Sequence, residues 1–405
     1  MKDKHLHSDV FCMFPWMHLN VTPKGNIYPC CSSDYVEPFA NTKDSTLEQA
    51  FNNDKMRELR RNMLAGQRND ACTFCYKHEE NSPHSFRKYS LEHFAHLYDE
   101  LVPGTELDGT VSEFKMKYFD VRFSNICNYK CRTCGSEFSS KWAQEHKEHD
   151  APPAGFKVIQ HADKSGKLLD QVLDQVDNIE LAYFAGGEPL ITDEHYTILE
   201  AMIASGKCAD ITLRYNTNMS NFKYKKFDIL DMWSNFKRVE VSSSLDHYGE
   251  KAEYIRNGTE WKTVKENLQR IRDVDYIDYQ FNCVLSNLNY VTLADFFEYM
   301  IDNDLLRKHD HISIYHLLNP QFYSSQTLPA EIKDRGTLKL LSLIRQIKDE
   351  FWCTQHIENA MRFATSANTW DEYGQEFIHN TVRRDKIRNE NFAQVFPELA
   401  ELLNG

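Results

Sequence analysis

The sequence has no apolar run approaching the roughly 20 residues needed to cross a bilayer, so a membrane span is not expected. It lacks an excess of positive charge. Its 47 basic and 60 acidic residues give a formal charge of −13, which disfavours long-range attraction to phosphate backbones, and a nucleic-acid partner is not expected. Internal repeats and low-complexity tracts are absent, and Met1-Lys2-Asp3-Lys4-His5 is charged where a secretory signal would be apolar, so the expected location is the cytoplasm. An aromatic content of 13% argues against disorder, since such side chains need a core or a pocket.

What the chain does have is cysteine, in a telling arrangement. Eleven is an odd number, and in a long chain of apparently reducing compartment it points to metal ligation or catalysis rather than a disulfide framework. Eight of them are Cys12, the pair Cys30 and Cys31, the pair Cys72 and Cys75, and the trio Cys127, Cys131 and Cys134. Cys208, Cys283 and Cys353 are scattered and read as small buried apolar residues, with Cys283 the one that could face a cavity.

The pattern along the chain changes near residue 115. Before it, His18–Thr22 and Ile27-Tyr28 flank a Pro-Lys-Gly-Asn turn and read as a hairpin. One helix is expected from Thr46 to Ala65, capped by Ser45 or Thr46 and stopped at Gly66, and a linker from Val102 to Ser112. His5 and His7 are expected in a mobile terminus, and Glu79-Glu80 on a solvated surface. Beyond it, strands at Tyr118–Phe123, Leu181–Ala185, Asp210–Asn216, Arg238–Ser243, Tyr279–Val284 and Ile312–Leu317 alternate with helices such as Thr192–Ser205, Trp261–Asp273 and Leu293–Asn303. Six such units predict a parallel α/β architecture with functional residues at the C-terminal strand ends. After Pro329 the chain reads as helical.

The trio lies on Cys127-Asn128-Tyr129-Lys130-Cys131-Arg132-Thr133-Cys134, directly after the first of these strands. Thiolates are the usual protein ligands of iron–sulfur clusters, and three so close together can hold three irons of a cubane, leaving the fourth open. The alternative is a structural zinc completed by a distant residue. The second strand runs into Ala185-Gly186-Gly187-Glu188-Pro189, whose glycines permit close backbone approach to a ligand. Further strand ends carry Asn216 and Asn218, then Ser242 and Ser244 before Asp246, and the segment Tyr254-Ile255-Arg256-Asn257-Gly258 follows.

This ordered set resembles the radical S-adenosylmethionine (SAM) superfamily. The resemblance implies a [4Fe-4S] cluster on Cys127, Cys131 and Cys134 whose open iron is chelated by SAM, and reductive cleavage of SAM to a 5′-deoxyadenosyl radical that abstracts hydrogen. It implies SAM contacts from Thr133, Gly186, Gly187, Glu188, Pro189, Asn216, Asn218, Ser242, Ser244 and Arg256, the last suited to a carboxylate by its planar fork. The family usually carries an aromatic residue where this chain has Thr133. The N-terminal cysteines resemble the twitch module, a shortened SPASM domain, placed ahead of the core as in one subgroup. On that likeness Cys12, Cys30, Cys72 and Cys75 would hold an auxiliary [4Fe-4S] cluster, or a zinc ion, with Cys31 as the spare.

The fold class expected is therefore α/β, a partial (β/α)6 TIM-like barrel over residues 115–325, with a small N-terminal β-hairpin and helix Fe–S module over 1–100 and a helical C-terminal extension over 326–405. The extension is expected to pack against the barrel, with closing its mouth or binding a partner as the other roles open to it. The expected partners are SAM, a small electron donor such as a flavodoxin or ferredoxin, and an unidentified substrate, a peptide or small molecule. The rival readings are a non-catalytic Fe–S electron-transfer protein and a peptide- or carrier-binding protein.

Overall fold

The computed structural model describes residues 2–33, 37–80, 84–150, 167–348, 351 and 354–404. Cys353 lies outside them. The chain divides into two compact units, Met1–Asn125 with Ile159–Arg214 and Asp231–Lys237, and Ile126–Val158 with Tyr215–Leu230 and Arg238–Gly405.

In the first unit, β1 (His18–Val21) and β2 (Asn26–Tyr28) form the expected hairpin, and β3 (Ala40–Asn41) adds to β2. The free edge of β1 then pairs in parallel with β4 (Tyr118–Val121), Asn20 opposite Asp120, and β4 pairs in parallel with β5 (Leu181–Phe184). The N-terminal hairpin is therefore part of the same sheet as the first core strands. Side chains alternate across a strand. Phe119 meets Phe184 at 5.2 Å, and Phe184 meets His195 of the helix Asp193–Ala204 at 4.8 Å, so these mark the helix-covered face. His18, Asn20, Tyr118, Asp120 and Arg122 belong to the opposite face by the same alternation.

The single helix expected over Thr46–Ala65 is two, Leu47–Phe51 and Asp54–Ala65. Thr46 closes a capping box with Gln49, but the Asn53 side chain accepts the Met56 N–H and starts a new helix. An asparagine offering the backbone such a bond competes with helix continuation. His5 is buried, its Nδ1 2.6 Å from the Tyr98 hydroxyl, so the terminus is docked rather than mobile. The expected linker is also packed: Arg60, itself buried, donates to the carbonyl of Gly109 at 3.1 Å.

β6 (Thr212–Thr217) begins in the first unit and ends in the second. The second unit continues with the small hairpin β7 (Lys223–Tyr224) and β8 (Phe227–Asp228), then β9 (Arg238–Ser244), β10 (Ile277–Leu285) and β11 (His311–His316). β10 pairs in parallel with β9 and β11. Its burial alternates residue by residue. Phe281 packs on Phe296 and Phe297 of the helix Leu293–Asp302, and Cys283 shares that face, accepting from Asn289 at 3.6 Å. Cys283 thus points towards the helix layer, because a strand separates i and i+1 but not i and i+2. All six strands expected from the sequence are present, and the architecture is mixed α/β with an open parallel sheet, consistent with a partial barrel. Among the described residues no helix is long and apolar enough to cross a membrane.

Candidate functional site: the cysteine centres

The loop carrying Cys127, Cys131 and Cys134 has almost no regular structure, so its shape depends on bonds to its neighbours. The N–H groups of Lys130 and Arg132 donate to the carbonyls of Asn257 and Ile255 at 2.9 and 2.8 Å. Trp142 Nε1 donates to the Cys131 carbonyl at 2.7 Å, and Ser139 Oγ to that of Tyr129 at 2.5 Å. Gly258, at φ 109°, lets the two segments touch: a Cβ there would stand 2.9 Å from both the Asn128 carbonyl oxygen and the Tyr129 ring. The Tyr129 N–H points at Cys127 Sγ from 3.4 Å.

Burial pushes the Cys131 thiol up to about 12, with Arg256 opposing and Cys134 adding to the rise. Cys134 is raised by burial as well. Buried thiols of this kind become thiolates when a metal centre supplies the compensating charge.

Several residues read as SAM contacts are gathered around this loop. Asn218 Nδ2 donates to Asn128 Oδ1 at 2.9 Å, and Asn218, Ser244 and Arg256 line one small cavity with Tyr129 and Asp246. Asn216 and Ser242 share the sheet face opposite the helix Leu293–Asp302 with Gln280 and Asn282, which donate to Ser242 Oγ and, at 3.4 Å, to Asn216 Oδ1. Gln280 and Asn282 were not read from the sequence, where an amide in a strand carries no mark of which face it occupies. Thr133 is half-buried beside Cys134.

The Gly186–Pro189 loop belongs to the first unit. Gly186 adopts φ 124°, a conformation essentially confined to glycine. Glu188 is buried and caps the short turn behind it, accepting the Leu190 N–H at 3.2 Å. Gly187, Glu188 and Pro189 line a cavity of about 30 Å³ with Ser124 and His195.

In the same unit Cys12 and Cys75 are buried and Cys30 and Cys72 half-buried. Burial raises Cys30 well above its ordinary value, and the charges of Cys31, Cys72, Cys12 and Cys75 all add to that. Cys12 is raised to about 11 by burial, with Ser90 opposing. Four thiols that feel one another are therefore collected from a loop, a hairpin and a helix. Cys31 is raised to about 12 by burial, with Asp120 adding to the rise and Arg122 opposing it. Ser90 Oγ stands 3.1 Å from Cys12 Sγ and accepts the Met13 N–H. Glu79, expected on the surface, is instead ion-paired with buried Arg87, whose guanidinium also donates to the carbonyls of Ser8 and Phe11. Arg87 and Ser90 were missed because nothing local in Phe86–Phe94 marks a helix laid over cysteines.

Among the described residues no three His, Cys, Asp or Glu side chains are gathered closely enough for a single metal ion. A lone zinc needs every sulfur about 2.3 Å from it, whereas each thiolate of a cubane meets a different iron. The all-thiol donor sets fit iron–sulfur clusters.

Residues 12–76 match the SPASM iron–sulfur cluster-binding domain and residues 121–300 match the radical SAM superfamily. The chain carries a radical SAM domain with an SPASM-type domain ahead of it. A radical SAM domain implies a [4Fe-4S] cluster and SAM as cofactors, and an SPASM domain an auxiliary Fe–S cluster. No curated protein matches the chain. Among solved structures, native anSMEcpe with bound AdoMet and Cp18Cys peptide is 17% identical, with 56% of this chain and 58% of that chain covered and a TM-score of 0.38. Streptococcus suis SuiB bound to S-adenosylmethionine is 15% identical, with 72% and 63% covered and a TM-score of 0.36. TYW1 with a lysine-pyruvate adduct is 12% identical, with 56% and 70% covered and a TM-score of 0.33. The match thus spans less than two thirds of the length of anSMEcpe.

Within the first unit, β1 and β4 present a row of polar groups. His18 Nδ1–H donates to the Tyr118 carbonyl at 2.9 Å, which leaves Nε2 as an acceptor, and Asn20 Nδ2 donates to Asp120 Oδ2 at 2.7 Å. His18 Nε2 and Asn20 Oδ1 are buried with no protein partner among the described residues. Such acceptors call for a water or a ligand.

Proposed function

We propose that this chain is an enzyme that cleaves SAM reductively and uses the resulting radical to abstract hydrogen from a peptide or small-molecule substrate, modifying or oxidising it. Cys127, Cys131 and Cys134 hold the catalytic cluster, and Cys12, Cys30, Cys72 and Cys75 the auxiliary one. Gly186, Gly187, Glu188, Pro189, Asn216, Asn218, Ser242, Ser244 and Arg256 bind SAM, with Thr133 beside the cluster. A small electron donor such as a flavodoxin or ferredoxin supplies the reducing equivalent. His18 Nε2 and Asn20 Oδ1 receive hydrogen-bond donors of the substrate. In this assignment residues 1–100 form the auxiliary module, 115–325 the core and 326–405 the extension.

The observation that carries the reading is the loop itself: three thiols on a segment pinned at Tyr129, Lys130, Cys131 and Arg132, with Nη1 of Arg256 4.0 Å from Cys131 Sγ. The test is anaerobic reconstitution followed by a 5′-deoxyadenosine assay with dithionite. Product that disappears in Cys127→Ala supports the enzyme. Clusters that form without any SAM binding or cleavage would instead make it an electron-transfer or peptide- or carrier-binding protein.

A further inference from the structure

Arg132 sits between two of the loop cysteines and is fully buried, its side chain having no exposed surface. An arginine guanidinium keeps its charge in a protein. It meets Asp385 at 2.6 Å and Glu390 at 2.5 Å and lies 3.8 Å over the Tyr254 ring. The two acids are themselves fixed. Asp385 accepts from the Tyr254 hydroxyl and the Phe392 N–H, both at 2.6 Å, and Glu390 Oε1 accepts from Asn257 at 2.6 Å. Both belong to the end of one element, the helix Trp370–Arg388 and the turn after it.

That helix reaches the loop by two further routes. Trp142, which holds the Cys131 carbonyl, has Arg384 and Arg388 over its ring at 4.7 Å each. Lys130 pairs with buried Glu145 at 2.6 Å, and Arg384 and Arg388 bind the same carboxylate at 2.9 and 3.0 Å. Besides its apolar contacts through Phe377, this element sets two half-buried acids against the buried arginine of the cysteine loop.

We propose that Asp385 and Glu390 are positioning residues of the catalytic cluster, acting through Arg132 to hold the Cys131–Cys134 end of the loop and to set the charge beside it. The proposal rests on assigning Cys127, Cys131 and Cys134 to that cluster. Around the loop Arg132, Lys130, Arg384 and Arg388 face Asp385, Glu390 and Glu145, so neutralising either Asp385 or Glu390 removes one negative charge from this group. Cluster potentials respond to net charge and hydrogen bonding, and a negative charge removed nearby favours entry of an electron.

The test is a potentiometric titration of the reconstituted full chain, followed by electron paramagnetic resonance on the signal that changes when SAM is added, with iron content and melting temperature recorded alongside. Glu390→Gln and Asp385→Asn are expected to raise the potential of that signal or to lose it while the second cluster remains, and Glu390→Asp, which keeps the charge, is expected to restore the parent potential. Glu390→Gln and Asp385→Asn holding parent potential and parent iron overturn the proposal, even if their melting temperatures fall, because that pattern is packing alone. A Glu390→Asp potential that departs as far as that of Glu390→Gln overturns the charge role. A parent protein with no SAM-responsive signal overturns the proposed function instead, and this inference with it.

Discussion

Arg256 is ion-paired with Asp246 through one hydrogen bond, from Nη2 to Oδ1 at 3.0 Å, with Nε 2.9 Å from Oδ2 but not aligned to donate to it. Asp246 is buried and also accepts the Val284 N–H at 2.8 Å. A buried pair broken on one side leaves an uncompensated charge, so Asp246→Ala should cost about 3–5 kcal/mol in urea unfolding. Arg256→Gln removes the charge that faces both Cys131 and, as we propose, the SAM carboxylate. Charged hydrogen bonds are worth about 1.5–3 kcal/mol, so SAM affinity should fall tenfold or more while iron content holds. Parent-like SAM binding in Arg256→Gln would remove this arginine from the SAM site.

The N-terminal thiols allow a sharper division. Burial raises both; Cys31 feels Asp120 and Arg122 besides, whereas Cys30 feels Cys31 and also Cys72, Cys12 and Cys75, so we assign Cys30 to the cluster and Cys31 as the spare. Cys72→Ala should therefore lose about half the bound iron, that of one of two clusters, and keep the SAM-responsive signal. Cys31→Ala should keep both. Equal iron loss in the two variants, measured per chain after anaerobic reconstitution, would reverse the ligand assignment. Arg87→Gln should resemble Cys72→Ala in part, since it strands the Glu79 carboxylate beside Cys75.

Local pattern carried much of this. The six strands and the three cysteine groups stand out because alternation and thiol spacing are properties of a few adjacent residues. The parallel pairing of His18–Val21 with Tyr118–Val121 was not legible, since a four-residue strand carries no record of its partner 100 positions away. Nor was the link between Arg132 and Asp385: a charged residue between cysteines looks solvated until the chain supplies its acids 253 and 258 positions later. Glu79 misled for the same reason. The break at Asn53 was local and could have been read, because an asparagine three residues ahead of an apolar position is a capping signal.

Gly186 offers a test of the loop that follows β5. Its φ of 124° belongs to a region that side-chain-bearing residues avoid at about 1–3 kcal/mol. Gly186→Ala should shift the backbone that leads to Glu188 and weaken SAM binding, with both clusters retained. Gly135→Ala is the control, since a Cβ there meets nothing within 4 Å and its φ lies outside the left-handed region. Isothermal titration with SAM reads the difference, and equal affinities in the two variants would show that this loop does not contact the cofactor.

His247, which lines the same small cavity as Arg256, gives the chain an acid-sensitive point of its own. Its Nδ1 accepts the Tyr248 N–H at 2.9 Å and its Nε2 faces Thr292 Oγ1 at 2.9 Å, so the folded state needs the neutral ring. Burial, with Lys251 adding to it, lowers its pKa from 6.5 to about 3. Above pH 6.5 the ring is neutral folded or unfolded, and it contributes nothing to pH dependence. Below that the unfolded chain takes up a proton that the folded chain refuses. Stability then falls by about 1.4 kcal/mol per pH unit, until the folded ring titrates near pH 3. His247→Gln keeps a donor for Thr292 and removes the titration. Between pH 7.5 and pH 5 the parent should therefore lose about 2 kcal/mol more than the variant, read from urea midpoints at the two pH values. Identical losses would mean that His247 is protonated without penalty, and that the bond from Tyr248 does not hold in solution.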